Sequence, residues 1–226
     1  MSTDTDRPMK KRKMHQTTLP SFVEAPPRLK RVISGGQRGA DLAALEAARN
    51  TGFETGGIVP AHFPAELTRT YADFGMQSLV AGDGSAFEAK RCLIMRSKRN
   101  VDESDATIAF RAWSGDLRKS PGTNKTIGYC ETGKWQLPTG RKSARVVHKP
   151  CLVLDCTDTD KEVEERAVDD VLSFILEHNP KTLNVAGSRE DLESHPHFSA
   201  TVRRIMQAAF TSIATRQRIK NSTVST

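Results

Sequence analysis

The feature of this sequence that most constrains its fold is a recurring order of short apolar strand, glycine-bearing turn and helix. Residues 30–34 (KRVIS) form a strand-like run, 35–39 (GGQRG) form a turn, and 41–48 (DLAALEAA) have helix-forming composition with an acid in the first turn. The same alternation predicts strands at 55–59, 105–110, 151–155 and 182–187, and helices at 124–132, 162–176 and 198–213. Short apolar strands separated by helices are typical of a parallel sheet covered on both faces. We therefore predict an α/β fold with an open, mostly parallel sheet.

The length of 226 residues fits one globular domain with terminal extensions rather than two full domains. Residues 1–28 are polar and interrupted by prolines, which predicts a disordered basic tail. We expect the single domain over 29–213 and a basic, flexible C-terminus at 214–226. Within the domain, 61–90 carries few signals apart from a strand or helix near 77–80, and 135–149 is typical of an exposed loop.

The composition argues against several classes of protein. No apolar run approaches the roughly 20 residues that cross a bilayer, and the first residues are polar and basic, so we expect neither a membrane span nor a secretory signal. The cysteines lack CxxC spacing, which predicts reduced thiols of a nuclear or cytoplasmic protein rather than a disulfide framework or a zinc site. These thiols, expected to be buried, are Cys92, Cys130, Cys151 and Cys156.

The net charge of +7 is concentrated at the two ends of the chain. Residues 1–31 hold eight Lys or Arg against three acids, and 203–226 hold five Arg or Lys with no acid. Each end therefore contributes +5, which leaves −3 for residues 32–202. A surface that follows nucleic-acid phosphates over the whole fold is not expected, although a basic tail can add salt-dependent affinity that is blind to sequence.

Small, polar, glycine-bearing turns follow three of the predicted strands, at 34–41, 120–126 and 186–190. The carboxyl ends of parallel strands share one edge of the sheet, where ligands bind in open α/β folds. Unpaired backbone N–H groups and the helix dipole make such turns suited to an anion such as phosphate. We therefore predict a site for a phosphate-bearing ligand, although each turn alone is also explained as a tight chain reversal.

Familiar motifs do not account for these turns. The first turn has Ser34 in the first place of GxGxxG, and no acid follows the second strand to hold a ribose, which argues against a redox dinucleotide site. The sequence contains neither GxxxxGK[ST] nor the GxSxG of serine hydrolases. His195 and His197 lack further ligands at matching spacing, so we interpret them as solvated loop residues and predict no metal site.

Four motifs together resemble the family of "putative molybdenum carrier" proteins, a Rossmann-like branch of the superfamily that includes the lysine-decarboxylase-like proteins. They are SGGQxGxD at 34–41, NVxxSDAT at 100–107, GTxxT at 122–126 and LNVAGSRE at 183–190. The resemblance extends over about 30–210 and keeps the order of the motifs. It implies a single Rossmann-like domain, a homo-oligomer, and a phosphate-bearing ligand, with the molybdenum cofactor (molybdopterin) or a nucleotide as candidates.

On these grounds we expect the protein to bind a small phosphorylated ligand as a carrier or sensor. The expected ligand-binding residues are Gly35, Gly36, Gln37, Gly39, Asp41, Asn100, Asp105, Gly122, Thr123, Thr126, Gly187 and Arg189. Each also has a simpler explanation: the glycines permit tight turns, Asp41 complements a helix dipole, and the threonines cap a helix. Arg96 and Arg99 are further candidates for binding an anion, or else solvated surface residues.

The sequence departs from the family pattern in three places. Pro121 replaces the first glycine of the second turn, the segment 57–60 (GIVP) lacks the tryptophan of a GWxP motif, and the loop 135–149 is longer than expected. The related phosphoribohydrolases resemble PGGxGTxxE, and here Thr126 stands in the place of the glutamate. A missing general acid or base removes about 10²–10⁴-fold of rate. Binding is therefore favoured over cleavage, and a nucleotide-processing enzyme is the alternative, with no catalytic residue assigned.

The N-terminal tail carries two short motifs. Lys10, Lys11, Arg12 and Lys13 resemble a nuclear localisation signal, which implies importin as a partner. The segment 16–23 (QTTLPSFV) resembles a sliding-clamp-binding box through Gln16, Leu19 and Phe22, although Val23 is not aromatic. A disordered segment can insert a short apolar anchor into a pocket while basic residues steer the encounter. The tail therefore indicates a nuclear adaptor, or else a solubilising extension.

Overall fold

One all-parallel sheet organises the computed structural model, which describes residues 26–60, 71–79, 86–113, 118–138, 148–156 and 160–223. The sheet has six strands in the order β3-β2-β1-β6-β4-β5. The strands are β1 (Arg31–Ser34), β2 (Glu54–Pro60), β3 (Met76–Leu79), β4 (Ala106–Arg111), β5 (Cys151–Asp155) and β6 (Thr182–Gly187). The predicted α/β fold with an open parallel sheet is confirmed.

The last strand of the chain lies at the centre of the sheet. β6 pairs with β1, where Ser34 lies opposite Val185, and with β4, where Ala109 lies opposite Ala186. On one side of β6 the sheet continues with β1, β2 and β3, and on the other side it continues with β4 and β5. If the chain were renumbered to begin at β6, the sheet order would read 4-3-2-1-5-6, a doubly wound arrangement. The switch point of this arrangement lies between β6 and β4.

Five helices cover the two faces of the sheet in the described part of the chain. They are α1 (Ala40–Asn50), α2 (Ala86–Asp102), α3 (Pro121–Thr132), α4 (Lys161–His178) and α5 (Phe198–Thr223). α1, α4 and α5 pack together on one face, and α2 and α3 lie on the other. None of the described helices has the length and apolar character needed to cross a membrane.

The main core lies between the sheet and the face formed by α1, α4 and α5. Strand residues such as Ile108 and Phe110 are fully buried there. The buried residues of α1 are mainly small alanines, including Ala44 and Ala47, which permit close approach of α5. Phe210 of α5 packs against Phe53, with ring centroids 5.4 Å apart. This packing fixes α1, and therefore the turn before it, relative to β6.

Two features differ from the sequence predictions. The helix α2 was not predicted, because exposed cations such as Lys90 and Arg99 interrupt its apolar pattern. The final helix does not end at Ile213 but continues to Thr223, so residues 214–223 are helical rather than a flexible extension. The buried apolar residues of α5 end at Ile213. Beyond them, Gln217 donates hydrogen bonds to backbone carbonyls near β1, and these bonds hold residues 214–223, the α5 extension, in place.

Candidate functional site

A cleft of about 930 Å³ lies at the carboxyl edge of the sheet, at the switch point between β6 and β4. Its volume falls within the range of small-molecule sites. The turn after β1, the start of α3, one side of α2 and the segment 186–193 after β6 form its walls. The residues that line it include Gln37, Asp41, Lys90, Leu93, Ile94, Arg96, Trp113, Ser120, Gly122, Thr123, Lys125, Thr126, Trp135, Gly187, Arg189, Glu190, Asp191, Leu192 and Glu193.

An ion pair occupies the base of the first turn. Asp41 lies in the first turn of α1, and its Oδ2 atom accepts hydrogen bonds from Gln37 N (3.3 Å) and Arg96 Nη1 (3.1 Å). Asp41 is 3% exposed and Arg96 8% exposed. Burial raises the pKa of Asp41, and the charge of Arg96 and the Gln37 amide lower it only in part. Removing one partner of such a buried pair usually lowers the free energy of unfolding by about 3–5 kcal/mol, because the other charge stays buried without its counter-charge.

Arg96 retains an unused hydrogen-bond donor. Its Nη1 contacts Asp41, whereas its buried Nε has no hydrogen-bond partner within the described ranges. A buried donor without a partner costs about 1–3 kcal/mol. Because Arg96 lines the cleft, an acceptor oxygen of a bound anion could complete its hydrogen bonding. The sequence alone does not distinguish Arg96 from the other candidate cations, because its apolar pattern does not predict the helix α2 that carries this residue.

The glycines of the first turn serve the protein's own packing. A Cβ atom at Gly35 would overlap the guanidinium of Arg96, so Arg96 lies directly against the backbone of the turn. Gly36 has a φ of 71°, and its Cβ would lie 2.8 Å from Cε1 of Tyr71. Gly39 has a φ of 117°, and a Cβ there would overlap the Ser188 carbonyl oxygen. These three glycines do not line the cleft, in contrast to the predicted ligand contacts, whereas Gln37 and Asp41 do.

The second turn presents the start of α3 to the cleft. Ser120, in the left-handed conformation, precedes the helix, and Pro121 is its first residue. The first backbone hydrogen bond of the helix joins Asn124 N to Ser120 O (3.1 Å), so the amides of Gly122 and Thr123 precede it. A Cβ atom at Gly122 would meet no described residue outside its own helix turn within 4 Å. Packing alone therefore does not require glycine here, and the helix N-terminus is open to an anion.

The third turn connects the exits of β6 and β4. The Ser188 amide donates to Phe110 O (2.9 Å), and its hydroxyl accepts a hydrogen bond from Ala112 N (3.0 Å). A Cβ atom at Gly187 would overlap Ala40 Cβ, so α1 packs directly on this turn. The exposed Arg189 follows and lines the cleft. The structure thus brings together seven of the predicted residues at the cleft: Gln37, Asp41, Gly122, Thr123, Thr126, Gly187 and Arg189.

Two further predicted site residues, Asn100 and Asp105, also lie outside the cleft. Asn100 Oδ1 accepts a hydrogen bond from Ile58 N (2.9 Å), and its Nδ2 donates to Ile58 O (3.3 Å), which fastens α2 to β2. Asp105 Oδ2 accepts hydrogen bonds from Lys181 N (2.8 Å) and Thr182 N (2.9 Å). Because Asp105 precedes β4, it lies at the amino edge of the sheet, opposite the cleft. Both residues have structural roles here.

Charged and aromatic side chains surround the cleft. Its cations are Lys90, Arg96, Lys125 and Arg189, and its carboxylates are Asp41, Glu190, Asp191 and Glu193. Apolar contact area comes from Leu93, Ile94, Trp113, Trp135 and Leu192, of which Leu192 is the most exposed. Trp113 packs edge-on against His195 with ring centroids 4.8 Å apart, and Lys119 Nζ lies 5.8 Å from its ring centroid. The cleft therefore combines charged side chains of both signs with aromatic and apolar surface.

The carboxylate of Asp191 contributes to local structure. Its Oδ1 atom accepts hydrogen bonds from Glu193 N and Ser194 N, each 3.1 Å long. Hydrogen bonds from Ser194 are the main reason why the pKa of Asp191 is lowered.

Within the described ranges, no three His, Cys, Asp or Glu side chains converge in a way that could hold a metal ion. The tail motifs at 10–23 and most of the 135–149 loop lie outside the described residues.

Comparison with known proteins agrees with this geometry. A model of the circularly permutated YpsA SLOG family matches residues 32–210. The crystal structure of a putative molybdenum carrier protein from Syntrophus aciditrophicus is 27% identical in sequence, with a TM-score of 0.59 over 82% of this chain and 97% of that chain. No curated protein matches the chain significantly. The family model covers most of the chain, and the strand order is doubly wound when it is counted from β6. The chain therefore belongs to the circularly permutated YpsA SLOG family.

Proposed function

We propose that this protein binds a small phosphate-bearing ligand in the carboxyl-edge cleft and acts as its carrier or sensor. The observation that supports this most directly is Arg96, buried against Asp41 with its Nε unpaired in the described part of the chain and lining the cleft. The open N-terminus of α3 at Gly122 and Thr123 lines the same cleft. A guanidinium and a helix N-terminus are both favourable partners of a phosphate group.

The remainder of the cleft suits a planar ring. Trp113 and Trp135 offer aromatic surface, and Leu93 and Ile94 of α2 offer apolar contact area. Lys90 and Lys125 add positive charge for a phosphate group. A ligand with a phosphate at one end and a heteroaromatic ring at the other would use both kinds of wall. Nucleotides and phosphorylated pterins share this chemistry.

The molybdenum cofactor shares this chemistry, and the same residues would hold it. Arg96, Gly122 and Thr123 would hold its phosphate, and Trp113 or Trp135 would contact its pterin. The cofactor holds molybdenum through its own sulfur atoms, so the cleft would not need a set of protein ligands for the metal. The name of the Syntrophus protein motivates this candidate.

A nucleotide-processing enzyme is the alternative. Thr126, which stands in the place of the phosphoribohydrolase glutamate, donates its hydroxyl to Gly122 O (3.0 Å) and cannot serve as a general acid or base at neutral pH. Glu190 and Glu193, however, also line the cleft. Because a carboxylate can act as a general acid or base, hydrolysis of a nucleoside monophosphate is the second candidate function.

Native mass spectrometry of the full chain with AMP, ADP-ribose and molybdopterin tests the proposal. We expect the mass of one intact ligand per chain to be retained with at least one of these compounds. Release of free adenine and ribose 5-phosphate from AMP would favour the enzymatic alternative. If none of the three compounds is retained, the proposal is wrong and the turns are purely architectural. The same spectra report the oligomeric state, for which we propose a homo-oligomer.

The N-terminal tail supports a separate role as a nuclear adaptor. Lys10–Lys13 would bind importin, and Gln16, Leu19 and Phe22 would dock a DNA sliding clamp. A chain that lacks residues 1–25 should lose nuclear accumulation and clamp binding while it keeps binding to the cleft ligand. Unchanged clamp binding by the truncated chain would exclude the docking motif.

A further inference from the structure

The two basic ends of the chain converge at the amino edge of the sheet. Gln217, in the extension of α5, donates hydrogen bonds from Nε2 to Pro27 O (2.9 Å) and Leu29 O (2.8 Å). The adjacent backbone joins β6, because Lys30 N donates to Lys181 O (2.9 Å). Segments separated by almost the whole sequence are therefore neighbours at this edge, opposite the cleft.

We name the cations on these neighbouring segments the basic pole: Arg28, Lys30, Lys181, Arg216, Arg218 and Lys220. Five of these cations are exposed and Lys220 is half-exposed. The carboxylates on the adjoining starts of β2 and β4 and at the end of α4 are fewer: Glu54, Asp105 and Glu177. Asp105 is already engaged by the amides of Lys181 and Thr182. The patch therefore carries a net positive charge, although residues 32–202 as a whole are acidic.

We propose that the basic pole binds the phosphate backbone of nucleic acid. A simpler explanation for the cations of the α5 extension is that positive charges in the last turns of a helix complement its dipole. The dipole of α5 does not explain Arg28, Lys30 and Lys181, because these residues belong to other elements. An apolar protein partner is disfavoured because Ile219 is the single exposed large apolar residue of the α5 extension, and isolated apolar residues are ordinary on surfaces. Binding would be blind to base sequence and strongly dependent on salt.

The test uses the full chain and fluorescence anisotropy with a labelled DNA duplex of about 20 base pairs, at about 50 to 200 mM salt. The pole variant is Arg216→Gln with Arg218→Gln. The matched control is Lys161→Gln with Arg166→Gln, which removes the same charge from two exposed positions on α4. Each lost phosphate contact should reduce the magnitude of the log–log salt slope by about 0.9. The pole variant should therefore lose about 2 units of slope, and the control should match the wild-type chain.

Equal effects of the two double variants, or absence of DNA binding at the lowest salt, would overturn the proposal. Competition by poly-glutamate as effective as by unlabelled DNA would also overturn it, in favour of an acidic protein partner. Thermal unfolding of both variants checks that the α5 extension has remained folded. The proposal does not depend on the cleft, so occupancy of the cleft leaves its outcome unchanged.

Discussion

Nη1 of Arg96 lies 3.1 Å from Oδ2 of Asp41, and a Cβ atom at Gly35 would overlap the same guanidinium. Arg96 comes from α2 on one face of the sheet, and Asp41 comes from α1 on the other. The ion pair therefore joins the two faces at the switch-point cleft, and the buried Nε of Arg96 has no hydrogen-bond partner among the described residues.

We predict strong energetic coupling between Arg96 and Asp41. Arg96→Gln should lower the free energy of unfolding by about 3 kcal/mol, because the Asp41 carboxylate remains buried without its counter-charge. Adding Asp41→Asn should cost less in that background than in the wild type, with a coupling energy of about 0.5–3 kcal/mol. Urea denaturation of the four proteins measures this cycle. Strict additivity would mean that the pair makes no net interaction.

The two glycines Gly36 and Gly122 should respond differently to alanine. Gly36→Ala should destabilise the fold by about 1–3 kcal/mol, because φ is 71° and the new methyl group would lie 2.8 Å from Tyr71 Cε1. Gly122→Ala should change stability by less than about 0.5 kcal/mol, because within 4 Å its Cβ meets no residue of the described ranges outside its own helix turn. Thermal unfolding compares the two. Similar melting temperatures for both variants would contradict the assignment of Gly36 to packing.

Asn100 should prove to be structural rather than ligand-binding. Asn100→Ala leaves the buried N–H and C=O of Ile58 without their side-chain partner, at a cost of about 1–3 kcal/mol. Below its melting temperature, the variant should retain in native mass spectra the ligand that the wild type retains. Loss of that ligand from a folded variant would place Asn100 back in the binding site.

The ion pair between Glu164 and Arg204 should stabilise the fold only above acidic pH. The hydrogen bond from Arg204 is the main cause that lowers the pKa of Glu164 below its usual 4.5. A lowered carboxyl pKa adds stability above the unfolded-state pKa, and this stability is lost as pH falls through the folded-state value. Because Arg204 is 54% exposed, Arg204→Gln should cost only about 0.2–1 kcal/mol at about pH 7.

The control for that variant is Arg203→Gln, whose pair with Glu46 is about half-exposed on both sides. It should cost less than Arg204→Gln at about pH 7, since exposed pairs contribute little. At a pH below the lowered folded-state pKa of Glu164, the cost of Arg204→Gln should be smaller than at about pH 7, because the protonated carboxyl group no longer carries a charge. Denaturant titrations at the two pH values provide the comparison. A cost that does not change with pH would contradict the role assigned to the carboxylate.

Strands were the most predictable elements of this fold. Residues 151–155 and 182–187 are apolar runs bounded by polar or glycine residues, and β5 and β6 occupy those positions. The central position of β6 was not predictable, because pairing between β6 and β1 joins residues about 150 positions apart. Helix α2 was hidden by its alternating cations and apolar residues, and with it the burial of Arg96.

The three-turn site was predicted in outline. The turns after β1, β4 and β6 do meet at one edge, because all three strands are parallel. The sequence could not distinguish a glycine that faces a ligand from one that faces a neighbouring chain segment. Gly36 and Gly39 carry positive φ values and contact β2, Tyr71 or Ser188, whereas Gly122 faces open space. Such distinctions depend on tertiary contacts that motif spacing does not contain.

The central claim, an anion at the start of α3, is tested most directly by titration calorimetry on Gly122→Glu and Gly122→Ala, with AMP and molybdopterin as probes. A carboxylate at position 122 complements the helix dipole, so it should preserve stability while it repels a phosphate. We predict wild-type affinity for Gly122→Ala and binding at least about tenfold weaker, or 1.4 kcal/mol, for Gly122→Glu with an unchanged melting temperature. If a probe that binds the wild type binds Gly122→Glu equally well, no phosphate lies at this helix and the account is contradicted.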